Sequence, residues 1–192
     1  AGGVGDDVRR LQGQARALLE GINRFGKGPC HLVVPQCSRT RKAGGRGTWE
    51  ASDLDLLLKG LGSSLNFDSK RIYLTGNSMG GYGSWTWGGK SPQHFAAIAP
   101  VVGGIGPGGP KDVTPDLDQW AANLAKVPVY AFAGANDRVV PAERSERMVN
   151  AIRKAGGKLA KIKVYQDQGH NARQVVYSSK EFYDWMFAQK RK

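Results

Sequence analysis

The segment 76–80 (GNSMG) constrains this chain most, because it is a G-x-S-x-G pattern set between a predicted strand and a predicted helix. The preceding run 71–75 is apolar, β-branched and aromatic, which is typical of a buried strand. The following run 81–87 is compatible with a short helix that ends at Gly88-Gly89. A serine on so tight a turn adopts strained backbone angles and exposes its hydroxyl. The motif alone is weak in a chain with 27 glycines, but strand, turn and helix together predict a nucleophile at Ser78.

A serine hydroxyl becomes a useful nucleophile when a base removes its proton, so a histidine and a carboxylate are needed later in the chain. His170 follows the predicted strand 159–165, at the strand end where catalytic groups of parallel sheets gather. His94 precedes a predicted strand and is interpreted as a surface residue. Asp137 lies in the loop after 127–133, an apolar run that predicts a strand covered on both faces.

Other acids remain as alternatives to Asp137. Asn136 and Asp137 are also common turn residues, so the pair could simply form a turn. Asp167 lies only three residues before His170 and is expected to face away from it on their shared loop. Asp53 and Asp55 precede the serine in a predicted helix and are interpreted as solvated.

The stretches 71–100, 134–145 and 167–172 together resemble small esterases of the α/β-hydrolase superfamily. The similar groups are the phospholipase/carboxylesterase-like and feruloyl-esterase-like "predicted peptidases". The resemblance implies an α/β fold, with about five mostly parallel strands in this chain, helices on both faces and a single catalytic domain over 1–192. It also implies a serine hydrolase that uses Ser78 as nucleophile, Asp137 as acid and His170 as base.

The same resemblance predicts where the oxyanion of the reaction is bound. The N–H of Met79 is the expected first donor, and the second is expected from the Ala1-Gly2 region. In the similar family a strand and a His-Gly pair come just before a segment like 1–7, so we expect a domain that lacks its first strands. An empty place, roughly 10 Å wide, is then expected between strands 31–35 and 71–75.

Aromatic and polar residues near the motif are candidates for substrate contacts. These candidates are Asn77, Trp49, Tyr82 and Trp85. Two of the three residues Tyr82, Trp85 and Trp87 are expected to pack in the core instead. Arg173 stands where similar proteins often carry an aromatic residue, which leaves the preferred acyl and alcohol groups open.

Composition narrows the range of partners. The net charge of +12 is spread over scattered basic residues without a nucleic-acid-binding motif, which favours a solvated basic surface over a specific nucleic-acid partner. No run approaches the ~18 apolar residues of a membrane span. Cofactors and metals are not expected, because no cluster of histidine, cysteine and carboxylate residues has ligand spacing. Oligomeric state and localisation remain undecided.

Three functions are compatible with the sequence. The first is a carboxylic ester hydrolase, acting through an acyl-enzyme on a small-molecule or polymer-linked ester. The second is a serine peptidase with the same triad, since both reactions pass through the same tetrahedral species. The third is a catalytically silent binding module on the same fold.

The rest of the chain alternates between predicted helices and strands. Helices are expected over 7–25, 49–65, 116–125, 141–155 and 174–188, further strands over 31–35 and 95–101, and a pocket wall over the Gly/Pro-rich loop 103–115. Cys30 and Cys37 flank the predicted strand 31–35, which would hold them about 23 Å apart, so both are expected to be buried, free thiols.

Overall fold

A computed structural model describes residues 7–37, 49–107, 109 and 111–192. Four parallel strands form a sheet in the order β1-β2-β3-β4. They are β1 (Tyr73–Asn77), β2 (Ala97–Val101), β3 (Val129–Gly134) and β4 (Ala160–Tyr165). The α-helices of the described ranges are α1 (Leu11–Phe25), α2 (Ala51–Ser64), α3 (Met79–Lys90), α4 (Leu117–Leu124), α5 (Ala142–Lys154), α6 (Arg173–Tyr177) and α7 (Lys180–Ala188).

The two central strands are apolar along their whole length because helices cover both faces of the sheet. Every residue of β2 and β3 is buried. Alternate residues such as Val129 and Ala131 pack towards α2, α3, α4 and α5, whereas Tyr130 and Phe132 pack towards α1, α6 and α7. The molecule therefore has three layers, and the predicted α/β-hydrolase fold class is confirmed.

Parallel pairing brings the carboxyl ends of the strands to one edge of the sheet. The register joins Asn77 to Val101 at the end of β1 and Gly134 to Tyr165 at the end of β3. Ser78 follows β1, and the loops that carry Asp137 and His170 follow β3 and β4. Residues that are far apart in the chain are thus delivered to the same edge.

The predicted strand 31–35 is wrong, and the sheet of the described residues has four strands rather than five. Residues 31–36 have no regular secondary structure. Their β-branched sequence favours an extended backbone, but a strand also needs a hydrogen-bonded neighbour. No strand of the described ranges pairs with this segment, so it stays extended without joining the sheet.

Two of the predicted helices, the first and the last, each consist of two separate elements in the structure. The first begins as a 3₁₀ turn at Val8–Arg10, where the Asp7 side chain accepts a hydrogen bond from the Arg9 N–H, before α1 starts. The last is two helices, α6 and α7, because Ser179 takes an extended conformation with φ −91° and ψ 122° before α7.

A groove of about 1070 Å³ lies beside β1. Its walls are α1, α2, the segment 27–35 and the edge of β1 itself. Within the described residues, 31–35 and β1 do not pair, and the empty place expected between them stays a prediction. The distance of roughly 10 Å across that place stays a prediction.

Both cysteines are free, as predicted, but only Cys37 is buried; the prediction that Cys30 is buried is wrong, because this residue is exposed. The strand geometry from which this was predicted is absent, however, because 31–35 is not a strand. In the part of the chain that the structure describes, none of the helices is both long enough and apolar enough to cross a bilayer.

Candidate active site

Ser78 occupies the strained turn that the G-x-S-x-G motif predicts. Its backbone angles are φ 53° and ψ −118°, between the end of β1 and the first residue of α3. A positive φ is unusual for any residue other than glycine and costs of order 1–3 kcal/mol, so it persists only where the surrounding structure imposes it. Gly76 permits the turn, because a Cβ there would lie 2.4 Å from the Gly80 carbonyl oxygen.

The end of β2 supports this turn from the neighbouring strand. The Ser78 N–H donates to the Val101 carbonyl over 3.0 Å. A Cβ at Gly81 would lie 2.6 Å from the same oxygen and 2.7 Å from the Gly103 Cα, so α3 and the loop after β2 touch backbone to backbone. Val102, between them, has a φ of 44°. The turn at Ser78 is therefore supported by a second strained residue, Val102.

The structure brings Ser78, His170 and Asp137 into one hydrogen-bonded chain. His170 Nε2 lies 2.8 Å from Ser78 Oγ, and His170 Nδ1 lies 2.8 Å from Asp137 Oδ2. An ionised carboxylate only accepts hydrogen bonds, so Nδ1 carries a proton and Nε2 is free to accept the serine proton. In this tautomer the imidazole can act as a base towards Ser78.

The Asp137 carboxylate is buried, and both of its oxygens have hydrogen-bond partners. Its side chain has no exposed surface, whereas that of His170 is 27% exposed. While Oδ2 faces the imidazole, Oδ1 accepts the N–H groups of Val139 over 2.8 Å and Val140 over 2.9 Å. Such backbone donors keep a buried carboxylate in a fixed orientation. Asp167, the competing acid, is exposed and does not take this position.

The loop that carries His170 folds back over the end of β3. The Asn136 N–H donates to the Gln168 carbonyl over 2.9 Å, and the Asn136 side chain donates to the Gln166 carbonyl over 2.9 Å. A Cβ at Gly134 would lie 2.5 Å from both the Gln168 and the Gly169 oxygens. The end of β3 must therefore be glycine for the loop to reach towards Ser78.

The predicted oxyanion donors are only partly within the described residues. Met79 is the first residue of α3, and the first four N–H groups of a helix have no acceptor inside that helix. Its N–H is thus free to face a developing negative charge next to Ser78, where the helix dipole also favours an anion. Ala1 and Gly2, the predicted second source, lie outside the described residues.

The sequence profile of the dienelactone hydrolase family matches residues 48–178, which is more than half of the chain. The chain belongs to the dienelactone hydrolase family. The matched range includes the whole of the serine turn and both loops that bear Asp137 and His170.

Curated relatives of this dienelactone hydrolase family chain are longer than the chain itself. A protein of Salmonella typhimurium strain LT2, provisionally named a carboxymethylenebutenolidase, is 35% identical over 109 residues, covering 54% of this chain and 37% of that protein. A protein of Methylorubrum extorquens with the same provisional name is 33% identical over 128 residues, covering 62% of this chain and 40% of that protein. The chain thus spans well under half the length of these relatives.

A solved structure agrees with this assignment. The crystal structure of a thermostable esterase superposes with a TM-score of 0.63 at 30% identity, covering 73% of this chain and 36% of that one. A dipeptidyl aminopeptidase IV homologue of Bacteroides ovatus superposes with a TM-score of 0.60 at 18% identity, over 70% of this chain and 22% of that one. The second likeness is one of fold alone.

The predicted substrate contacts take different positions in this member of the dienelactone hydrolase family. Asn77 is buried at the end of β1, and Tyr82 packs beside Gly104 in the loop 103–115. Trp85 is fully buried in the core, so its predicted role as a substrate contact is wrong. Trp87 is also a core residue, which confirms that two of the three aromatic residues of α3 pack inside.

Trp49 and Arg173 make contacts that the sequence did not predict. Trp49 donates from its indole Nε1 to the Met79 carbonyl over 2.8 Å. Arg173, where an aromatic residue was expected, donates from Nη1 to Gln14 Oε1 over 3.1 Å and links α6 to α1. Both contacts hold elements next to the site rather than facing its opening.

The groove beside β1 is separate from the three residues of the candidate site. It is lined by Gly76, Asn77 and Gly80 on the inner side of the serine turn, but not by Ser78, Asp137 or His170. The large apolar cavity of this chain is therefore not evidence for a substrate pocket.

A second group of serine, histidine and aspartate side chains lies at the other end of α3. Ser91 Oγ donates to Asp55 Oδ2 over 2.8 Å, Trp87 Nε1 donates to Asp55 Oδ1 over 2.7 Å, and His94 Nε2 lies 3.2 Å from Oδ1. Asp55 is thus bonded rather than solvated, which corrects the sequence interpretation. Because the Ser91 hydroxyl donates to the carboxylate and not to the imidazole, this group has no arrangement for activating a nucleophile.

Sequence reasoning missed the residues that hold the site from behind. Val102 has a positive φ although it is β-branched, and Gly134 is required by a contact with a loop that lies some 35 residues later. Neither feature has a local sequence signature. The glycine pair 103–104 after an apolar strand was the available hint of a close backbone approach at the end of β2.

Proposed function

We propose that this chain is the catalytic part of a serine hydrolase that cleaves carboxylic esters through an acyl-enzyme. Ser78 is the nucleophile, His170 the general base and Asp137 the residue that orients the imidazole. The observation that carries the proposal is the continuous hydrogen-bonded chain, with 2.8 Å between Ser78 Oγ and His170 Nε2 and 2.8 Å between His170 Nδ1 and Asp137 Oδ2. A base so placed can take the serine proton during attack.

The first half of the reaction forms the acyl-enzyme. Ser78 Oγ attacks the ester carbonyl carbon while its proton moves to His170 Nε2, and the carbonyl oxygen becomes an oxyanion beside the Met79 N–H. The C–O bond to the alcohol then breaks, and Nε2 returns the proton to the departing alkoxide. Asp137 stabilises the imidazolium that exists between these two proton transfers. Loss of one oxyanion donor typically lowers the rate about 10²–10³-fold.

The second half returns the enzyme to its starting state. His170 Nε2 takes a proton from water as that water attacks the acyl carbon. The tetrahedral intermediate collapses to the carboxylic acid and the serine oxygen, which regains its proton from Nε2. All of these steps use side chains and backbone groups of this chain.

An ester substrate is favoured over a peptide. The family to which the chain belongs is named for a lactone, which is a cyclic ester, and the 30% identical structure is that of an esterase. The likeness to a peptidase is at 18% identity and supports the fold alone. A silent binding module is disfavoured because both hydrogen bonds of the triad, from Ser78 to His170 and from His170 to Asp137, are present, and loss of either one would be enough to lower turnover.

The test measures hydrolysis of acetyl, feruloyl and longer p-nitrophenyl esters, with a peptide p-nitroanilide beside them. Ser78→Ala and His170→Ala should each lower ester turnover by about 10³-fold or more without unfolding the chain. The second serine, histidine and aspartate group supplies matched controls, because Ser91→Ala and His94→Ala also remove a partner of a half-buried carboxylate.

Turnover in the Ser91 and His94 variants should stay within about twofold of the wild type. Labelling by a fluorophosphonate should be confined to Ser78 and vanish in Ser78→Ala. Equal ester turnover in the wild type and Ser78→Ala, or cleavage of the anilide in preference to every ester, would overturn the proposal.

A further inference from the structure

The serine turn is held at two consecutive residues by groups from outside α3. At Ser78, the N–H donates to the Val101 carbonyl over 3.0 Å. At Met79, the carbonyl accepts the indole N–H of Trp49 over 2.8 Å. Trp49 comes directly before α2, so this second contact joins two helices through the first turn of α3. Trp49 touches neither the Ser78 hydroxyl nor the imidazole in any hydrogen bond of the described residues.

The ring of Trp49 is also pressed against the backbone of α3. A Cβ at Gly83 would lie 2.7–2.9 Å from the ring atoms Cδ1, Cγ and Nε1 of Trp49. Gly83 is the residue whose N–H meets the Met79 carbonyl in a regular helix, since a helical N–H donates to the carbonyl four residues earlier. Indole and helix therefore share one acceptor, and only glycine at 83 lets the indole come close enough.

Holding the Met79 carbonyl restrains the residue that carries the expected oxyanion donor. The N–H and the carbonyl of Met79 are joined by two backbone torsions, so a carbonyl with two donors limits how far the N–H can turn. Ser78, with a φ of 53°, is strained and would relax if the residues after it were free to move. Trp49 opposes that relaxation at the next residue along the chain.

We infer that Trp49 is a positioning residue for ester hydrolysis: its indole N–H fixes the Met79 carbonyl and so keeps the Met79 N–H aimed at the oxyanion. This inference rests on the proposed function and deepens it. Because the oxyanion forms only during reaction, a loosened donor lowers kcat and leaves substrate binding, and hence KM, nearly unchanged. The sequence-based prediction of Trp49 as a substrate contact requires the opposite, a raised KM.

The test compares two tryptophan-to-phenylalanine variants. Trp49→Phe removes the indole N–H and keeps an aromatic ring. Trp87→Phe is the matched control, because Trp87 also lies in the core and also gives one indole N–H to an oxygen, over 2.7 Å, but to Asp55 at the far end of α3. Each variant loses one indole hydrogen bond, and the acceptor lost by Trp87→Phe is a carboxylate, so its thermal stability should fall at least as much as that of Trp49→Phe.

In p-nitrophenyl acetate hydrolysis we expect kcat of Trp49→Phe to fall about 10–100-fold with KM within twofold of wild type, and the rate of fluorophosphonate labelling to fall in parallel. Trp87→Phe should stay within twofold in all three. Equal kcat values in the two variants, or a raised KM with unchanged kcat in Trp49→Phe, would overturn the inference while the triad proposal stands.

A second variant covers the case in which Trp49→Phe does not fold. Gly83→Ala keeps the indole N–H and raises the helix propensity of α3, but its Cβ displaces the ring from the Met79 carbonyl. It should show the same fall in kcat at constant KM, and a wild-type kcat in this variant would also contradict the inference. If wild type itself is inactive, or Ser78→Ala keeps full activity, the proposed function fails instead.

Discussion

The two edge strands of the sheet, β1 and β4, each lead into a segment that bears one residue of the candidate triad, but their free sides are built differently. On β4, hydrogen bonds from Val129 to the Leu159 oxygen and from Ala135 to the Tyr165 oxygen show that odd-numbered residues face β3. The even-numbered carbonyls therefore point outward. Ala160 receives the Arg153 guanidinium over 3.1 Å, and Val164 receives the Gln166 amide over 3.4 Å.

Side chains reinforce the protection of β4. Lys161 lies over the Tyr130 ring, 3.8 Å from its centroid, and Lys163 pairs with Glu181 over 2.7 Å. Lysines on an edge strand oppose pairing with another chain, because a second strand would have to bury or displace their charges. β4 is thus an edge on which two outward carbonyls, those of Ala160 and Val164, accept side-chain hydrogen bonds and on which lysine side chains add charge.

The outer side of β1 has neither kind of protection. The Ala96 N–H donates to the Ile72 oxygen, so Tyr73, Thr75 and Asn77 direct their backbone groups away from β2. Within the described ranges, no protein group bonds to those backbone atoms. They face the groove of about 1070 Å³, whose α2 wall consists of leucines. The unpaired polar backbone beside an apolar groove is suited to accept another extended strand.

The comparison shows that a protected edge strand can be recognised by the hydrogen bonds that its outward-facing carbonyls accept. β4 has its carbonyls bonded by side chains of its own chain, whereas β1 presents them to an apolar groove. At the site the order is reversed, because the turn after β1 is held by close backbone contacts, whereas the loop after β4 is held by hydrogen bonds from Asn136.

Gly81→Ala should destabilise the chain by about 3 kcal/mol, because its Cβ would meet the Val101 oxygen at 2.6 Å and the Gly103 Cα at 2.7 Å. Both contacts are backbone atoms that no rotamer change can relieve. Gly60→Ala in α2 is the control, since nothing lies within 4 Å of its added Cβ, and it should stabilise by about 0.5–1 kcal/mol. Urea denaturation measures both, and equal stabilities would contradict a rigid backing behind the serine turn.

Gly134→Ala should act on activity more than on stability. Its Cβ would meet the Gln168 and Gly169 oxygens at 2.5 Å, and the exposed loop can move away at a lower cost than α3 can. A displacement of His170 by about 1 Å is expected to lower ester turnover about 10²-fold. The expected loss of stability is about 1 kcal/mol. If Gly134→Ala and Gly81→Ala lose the same amount of stability, the turn after β1 and the loop after β4 are equally rigid, and the proposed difference between them is wrong.

Much of this site was predictable from sequence, because its residues are marked locally. Ser78 lies in a motif, and Asp137 and His170 each follow an apolar run that ends in a loop. The strand 31–35 was mispredicted because its residues favour an extended backbone, whereas membership of a sheet depends on a neighbour that local sequence does not reveal. The hydrogen bonds to Asp55 and the positive φ of Val102 likewise depend on contacts between distant segments.

The groove beside β1 should bind a dye that reports apolar surface. Leu61 lines the groove from α2, so Leu61→Lys should lower the fluorescence of bound anilinonaphthalene sulfonate and weaken its affinity about tenfold. Leu56→Lys is the matched control on the same helix, because Leu56 is 68% exposed and is not part of the groove. Light scattering should show less self-association in the Leu61 variant. Equal dye binding in both variants would mean that the β1 edge is as well protected as β4.

Glu181→Gln tests the protection of β4 and has the smallest expected effect. Hydrogen bonds from the Lys163 ammonium and the Tyr130 hydroxyl hold the pKa of the Glu181 carboxyl below its usual value. A carboxyl whose pKa is lower in the folded state stabilises the fold above its unfolded pKa of about 4.3, and this stabilisation is lost as the pH falls through the folded pKa.

The wild type should therefore exceed Glu181→Gln in stability at pH 7, and the two should converge as the pH falls below the folded-state pKa of Glu181, where both side chains are neutral. The difference at pH 7 should be only about 0.5–1 kcal/mol, since half of the Glu181 side chain is exposed and solvent screens the pair. Urea denaturation at several pH values measures it. A difference that persists unchanged below that pKa would show that Glu181 supports β4 by packing and not by charge, and would remove one of the two features that separate the edges.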